Sequence, residues 1–203
     1  LKSILAYPFA CVVKLRNDRW VKNPLKYQKK TFHKLIDKAK KTTFGINHGF
    51  ENIKTYEDWK KNVPIRDYEG IKEYVDLVVG GEKDVLWPGK PQYFCKTSGT
   101  TSGTKYIPLT KEALPFHIKG ARDAILSFIY ETKKTAVVNG KMIFLQGSPK
   151  LENINGVLTG RLSGITAHHI PKYLQKNRLP SLATNCIENW EDKIDAIVNE
   201  TIN

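Results

Sequence analysis

Apolar residues recur at helical spacing through the first part of the chain. Asn23 followed by Pro24 predicts a helix start, because proline at the first position gives up only an N–H that has no intrahelical partner. Leu25, Phe32, Leu35, Ile36 and Ala39 then share one face, and Gly45 lies beyond the end. Thr55 with Asp58 reads as a capping box before a short helix whose apolar side is Tyr56 and Trp59. Asp67 opens another helix, with Ile71, Tyr74, Val75 and Val78 as its stripe and Gly80-Gly81 as its stop. VLWPGKP (85–91) is a turn-rich connection.

The period changes at Gln92. QYFC is short and aromatic, as a strand is, and KYIPLT (105–110) predicts a second strand in which Pro108 marks an edge or an end. A helix follows over roughly 111–133, with Leu114, Ile118, Ala121, Ile125 and Phe128 in one stripe and Pro115 in its first turn. MIFLQ (142–146) reads as a buried strand, and 147–166 as loop. Asn185 with Glu188 predicts the cap of a final helix that turns Ile187, Trp190, Ile194, Ile197 and Val198 inward. The pattern is a mostly helical segment over 1–91 and an α/β segment over 92–203.

Between the two predicted strands stands KTSGTTSGTKYIP. Glycine lets a backbone turn tightly and approach a ligand, successive N–H groups in such a turn attract anions, and serine and threonine add hydroxyl donors. A strand leading into this stretch suits a phosphate cradle; a flexible Ser/Thr/Gly loop without a ligand suits the same letters. Three known patterns are excluded. A Walker loop needs G-x-x-x-x-G-K-S/T, whereas Gly99 and Gly103 are separated by three residues and Thr104 precedes Lys105. A nucleophile elbow needs G-x-S-x-G, but Ser102 adjoins Gly103. The dinucleotide pattern G-x-G-x-x-G is absent.

Composition adds bounds. The 203 residues suffice for one domain with a sizeable core, and the 40% hydrophobic and 26% charged content is that of a soluble globular chain. No apolar run is long enough to span a membrane, and the N-terminus lacks a signal-peptide layout. Cys11, Cys95 and Cys186 form no CxxC pair, which favours a reduced, cytoplasmic setting. Net charge is +13, concentrated in residues 1–61, where 15 Lys/Arg face 5 Asp/Glu. Such an arm would suit nucleic acid or an anionic membrane; without zinc-finger spacing, an RNA-binding aromatic signature or a heptad, helices with solvated lysine faces explain it more simply. His168-His169 has no third metal ligand at a useful spacing. Trp20, Trp59, Trp87 and Trp190 read as packing residues, and His117 as a partly exposed one. The start at Leu1 and the stop at Asn203 lead us to expect a piece of a longer protein.

Ser98-Gly99-Thr100-Thr101-Ser102-Gly103, followed closely by Lys105, resembles the phosphate loop of the adenylate-forming enzymes. The stretch VPIRDYEGIKEYVDLVVGGEKDVLWPGKPQYFCKTSGTTSGTKYIPLTKE narrows this. It resembles the Gretchen Hagen three family of acyl acid amido synthetases, often called auxin-responsive promoter proteins, with VLWPG, KTSGTTSG and KYIP in the family's order. GRLSG and NWEDKI extend the likeness over nearly the whole chain, closer to bacterial members than to plant ones. Two features depart. Only Thr104 separates Gly103 from Lys105, where the family usually has two residues. The family's later aromatic-x-Ser-Ser-Glu and Tyr-Arg-x-Gly-Asp motifs are absent.

The resemblance implies the N-terminal part of the large domain of an adenylate-forming, firefly-luciferase-like enzyme, with 1–91 and 92–203 together an incomplete large domain. It implies ATP and Mg²⁺ as cofactors, and a carboxylic acid and an amino acid as substrates. The acid's carboxylate attacks the α-phosphorus, pyrophosphate leaves, and an amine then converts the acyl-adenylate into an amide and AMP. Thr97, Ser98, Gly99, Thr100, Thr101, Ser102, Gly103 and Lys105 would bind the phosphates; Arg122, Arg161 and Ser163 are candidates for the acid's pocket. The metal ligands and adenine-binding residues would lie in the missing C-terminal part, so the piece alone is expected to be inactive. No catalytic residue, nucleic-acid partner or membrane partner is assigned. Two alternatives stay open: a relative of the acyl-CoA synthetases, and a basic nucleic-acid-binding module.

Overall fold

Helices open the chain and strands enter only after residue 92. The computed structural model describes residues 2–97 and 103–202, the side chain of Tyr173 excepted. In chain order, helices α1 (Lys2–Val21), α2 (Pro24–Ala39), α3 (Thr43–Asn47), α4 (Tyr56–Asn62) and α5 (Tyr68–Val79) precede strands β1 (Tyr93–Thr97) and β2 (Lys105–Leu109). Then come α6 (Leu114–Thr132), β3 (Met142–Ile143), β4 (Glu152–Ile154), β5 (Val157–Gly160), α7 (Leu162–Ala167), α8 (Lys172–Gln175), β6 (Arg178–Leu179), α9 (Leu182–Asn185) and α10 (Trp190–Ile202). The architecture is mixed α/β, as the pattern predicts. No helix among the described residues is long and apolar enough to cross a membrane.

The chain forms two compact units. One comprises Arg19–Lys111 and Asn153–Thr159. Here the local signals hold: Thr55 and Asp58 close a complete capping box, and the Asp67 side chain accepts from Gly70 N to cap α5. Two apolar clusters fill the unit. Ile36, Ala39, Phe50 and Ile53 pack with Phe32, Phe44, Trp59, Val63 and Trp87. Val78, Val85, Phe94 and Val157 pack with Tyr74 and Tyr106. The expected α2 face is only half used. Leu25 stands 77% exposed, because only the C-terminal turns of α2 meet the aromatic cluster, and Leu35 is 50% exposed beside the cluster residues Phe32, Ile36 and Ala39. Tyr56 is exposed too, leaving Trp59 to anchor α4.

The sheet order is β2-β1-β5-β4, which puts Pro108 on an edge strand where its missing N–H costs no ladder bond. The β4–β5 hairpin is a correction, since 147–166 reads as loop. Asn155 (φ 49) and Gly156 (φ 84) form a two-residue turn with both φ angles positive, the geometry that Asn-Gly favours between strands. Asn155 Nδ2 donates to Val79 O at 2.7 Å and ties the turn to the end of α5.

The other unit comprises Leu1–Asp18, Glu112–Glu152 and Gly160–Asn203. Its main cluster packs the small side of α1 (Ala6, Ala10, Val13) against Leu126 and Ile129 of α6. The α6 stripe holds in part: Leu114 is buried and Ile125 packs on the cluster, but Ala121 and Phe128 are exposed, and Leu126 and Ile129 take core positions. The expected buried strand over 142–146 is a second correction. β3 pairs only with the short β6, in parallel, and Ile143, Phe144 and Leu145 are 59%, 44% and 75% exposed. The final helix starts later than expected. Asn185 ends α9, whose cap is Ser181, while Asn189 Oδ1 accepts from Asp192 N at the start of α10. Trp190, Ile194 and Val198 are exposed, not inward.

Candidate functional site

β1 and β2 are paired through to their inner ends. Tyr93 faces Leu109, and the last pair is Thr97 with Lys105. The ladder therefore fixes both ends of the hydroxyl-glycine stretch. Ser98, Gly99, Thr100, Thr101 and Ser102 lie outside the described residues. Thr97 ends β1 exposed. Gly103 has φ +80, which disfavours side chains, and a Cβ there would meet nothing within 4 Å. Its backbone is thus open to close approach by another group.

Lys105 is not directed at random. Its Nζ stands 4.9 Å above the Tyr68 ring and 3.6 Å from Glu69 Oε1, both in the first turn of α5. Tyr68 also holds the strand itself. Its hydroxyl accepts from Tyr106 N at 3.0 Å and lies 3.4 Å from Tyr106 O, to which it donates. Sequence reading missed both residues. Their signal is spatial, since α5 and β2 are far apart in sequence and meet through folding, with Val78, Phe94 and Tyr106 in one apolar cluster. Tyr68→Phe leaves the Tyr106 N–H without its acceptor. We expect a loss of about 1–3 kcal/mol in urea unfolding, with the slope unchanged.

Arg122, Arg161 and Ser163 belong to the other unit. Arg122 is engaged: Nε and Nη2 donate to Asp123 Oδ1 at 3.0 and 2.8 Å, and the guanidinium lies 5.8 Å from the Phe9 ring. Burial alone would raise the Asp123 carboxyl, but Arg122, Arg16 and Asn17 outweigh it and hold it below its ordinary value. Arg161 and Ser163 do come together, at Gly147. Ser163 Oγ accepts from Gly147 N at 3.2 Å, and a Cβ on Gly147 would meet Arg161 Cδ at 2.5 Å. Ser163 thereby pins the stretch after β3, and Arg161 lies alongside. His168 Nε2 donates to Pro149 O at 2.7 Å, and burial first, then His168, lowers the pKa of His169. Among the described residues no three His, Cys, Asp or Glu side chains gather as a metal set. Cys11, Cys95 and Cys186 are free thiols, and burial raises the pKa of Cys95.

A helical opening followed by a β-hairpin whose connection is rich in glycine and hydroxyl residues defines a mixed α/β protein. The chain belongs to the GH3 family: residues 16–181 match the model of the GH3 family N-terminal domain. It is 35% identical over 104 residues to indole-3-acetic acid-amido synthetase GH3.15 of Arabidopsis thaliana, covering 43% of this chain and 18% of that protein. It is 23% identical over 138 residues to jasmonoyl--L-amino acid synthetase JAR6 of Nicotiana attenuata, covering 66% of this chain and 23% of that one. The solved structure of GH3.15 acyl acid amido synthetase superposes with a TM-score of 0.72 at 20% identity, over 87% of this chain and 31% of that chain. The likeness to that structure is one of fold. The chain spans only about a fifth of the length of the two sequence relatives.

Proposed function

We propose that this chain carries the ATP-phosphate-binding part of an acyl acid amido synthetase, working within a longer protein. Residues 1–91 and 92–203 together form part of its large domain, and the remainder supplies the metal ligands and the adenine site. The observation that carries this reading is the β1–β2 hairpin, which lies inside the family match and clamps the loop between Thr97 and Lys105. Thr97, Ser98, Thr100, Thr101 and Ser102 donate to phosphate oxygens. Gly99 and Gly103 let the backbone wrap, and Lys105 adds positive charge. Mg²⁺, when bound, neutralises phosphate charge. No protein nucleophile is required, because the substrate carboxylate attacks the α-phosphorus and the chain's task is positioning and charge stabilisation. Arg122 and Ser163 have hydrogen-bond partners of their own, and under this reading they and Arg161 shape the acid's surroundings. The three free thiols suit a reduced cytoplasm.

The test is product analysis. The full-length protein, given ATP, Mg²⁺, mixed carboxylic acids and mixed amino acids, should yield AMP and an N-acyl amino acid in equal amounts. Formation of ADP, or a thioester with added coenzyme A in place of the amide, would overturn the reading.

A further inference from the structure

Arg178 differs from two other arginines of its unit. Arg16 and Arg122 both pair with Asp123. Arg178 has no carboxylate beside it among the described residues. Its Nη2 donates to Gln146 Oε1 at 2.7 Å, and its guanidinium carbon lies 5.3 Å from the centre of the Phe144 ring. Two further donors, Arg178 Nε and Gln146 Nε2, are buried without a hydrogen-bond partner. Burial pushes the Arg178 guanidinium below its ordinary pKa. Such a group is costly to leave unpaired.

The two side chains come from neighbouring strands. Arg178 opens β6 opposite Met142, Phe144 N donates to Leu179 O at 2.7 Å, and Gln146 follows on the β3 side. With Nη2 on the amide oxygen, the atoms left without a partner, Arg178 Nε and Gln146 Nε2, are both donors. Their complement is an acceptor-only group. With a single cation and a half-exposed aromatic ring beside it, that complement is a monoanion with an apolar body, not a multiply charged phosphate.

We propose that Arg178 and Gln146 form a carboxylate-binding pair, with Phe144 as the apolar wall beside it. The carboxylate has two possible sources: a free carboxylic acid, in which case the pair serves the acid substrate and rests on the function proposed above, or an acidic side chain of the longer protein.

The experiment uses the full-length protein with Arg178→Met and Arg178→Lys, calorimetric titration with benzoate, phenylacetate and hexanoate, and thermal melting without ligand. Free acid as the occupant predicts that at least one of these acids binds the wild type. Arg178→Met then weakens it about 10-fold or more, Arg178→Lys less so, and ATP binding stays within about twofold. A protein carboxylate predicts no change in acid binding, but a fall in melting temperature in Arg178→Met that Arg178→Lys largely restores. Unchanged binding and melting in Arg178→Met overturns the pair. So does a melting loss that the lysine fails to restore, because that marks packing alone. These readouts need no turnover, so an inactive wild-type protein would refute the proposed function without touching this assignment.

Discussion

Replacing Ser98 and Thr100 together by alanine should lower acid-dependent pyrophosphate exchange in the full-length protein about 100-fold, with no change in melting temperature. The magnitude is that of removing a preorganised donor to charge that develops in the transition state, usually 10²–10³ in rate. Rigidity is what makes such donors effective, and the ladder holds the two described ends of the stretch. Thr97 and Lys105 are directly paired at the mouth of the loop, and Tyr68 pins the next residue of β2 through both its N–H and its C=O. Wild-type exchange in the double variant would remove the loop from the chemistry.

The second large effect is on stability. Phe94→Ala should cost about 3–5 kcal/mol, read as a lower urea midpoint at constant slope. Phe94 is fully buried on β1, among Val78, Val85 and Val157, and meets Tyr106 edge-on at 6.1 Å between ring centres. Truncation leaves a cavity at the contact that joins α5, β1 and β2. A loss under about 1 kcal/mol would mean that the cluster collapses around the gap and that the frame of the loop does not depend on this ring.

How far the sequence announces these features depends on how local their causes are. The Thr55–Asp58 box, the Asp67 cap and the edge position of Pro108 are written within a few residues and are found where the pattern puts them. Asn155-Gly156 is equally local, and its dipeptide would have marked the β4–β5 hairpin. Asn189 was legible as a cap as well, standing directly before α10. The errors over apolar faces have another origin. A stripe on α6 or a run such as MIFLQ shows which residues are apolar, not which face finds a partner. Here the small side of α1 selects Leu126 and Ile129, and β3 finds only β6. The candidate site divides in the same way. The order of glycines and hydroxyls in KTSGTTSGTKYIP is legible and led to the family that residues 16–181 match. Tyr68 and Glu69 beside Lys105, and Gln146 beside Arg178, are joined by packing across long stretches of chain, and no spacing rule brings them together.

The central claim is that the clamped loop serves activation of a carboxylic acid by ATP. The most direct measurement is exchange of labelled pyrophosphate into ATP by the full-length protein, across a panel of aromatic and aliphatic carboxylic acids with no amino acid added. The account predicts exchange that requires one class of acid and proceeds without an amine, because the acyl-adenylate forms first. Absence of exchange with every acid, alongside hydrolysis of ATP to ADP, would contradict it.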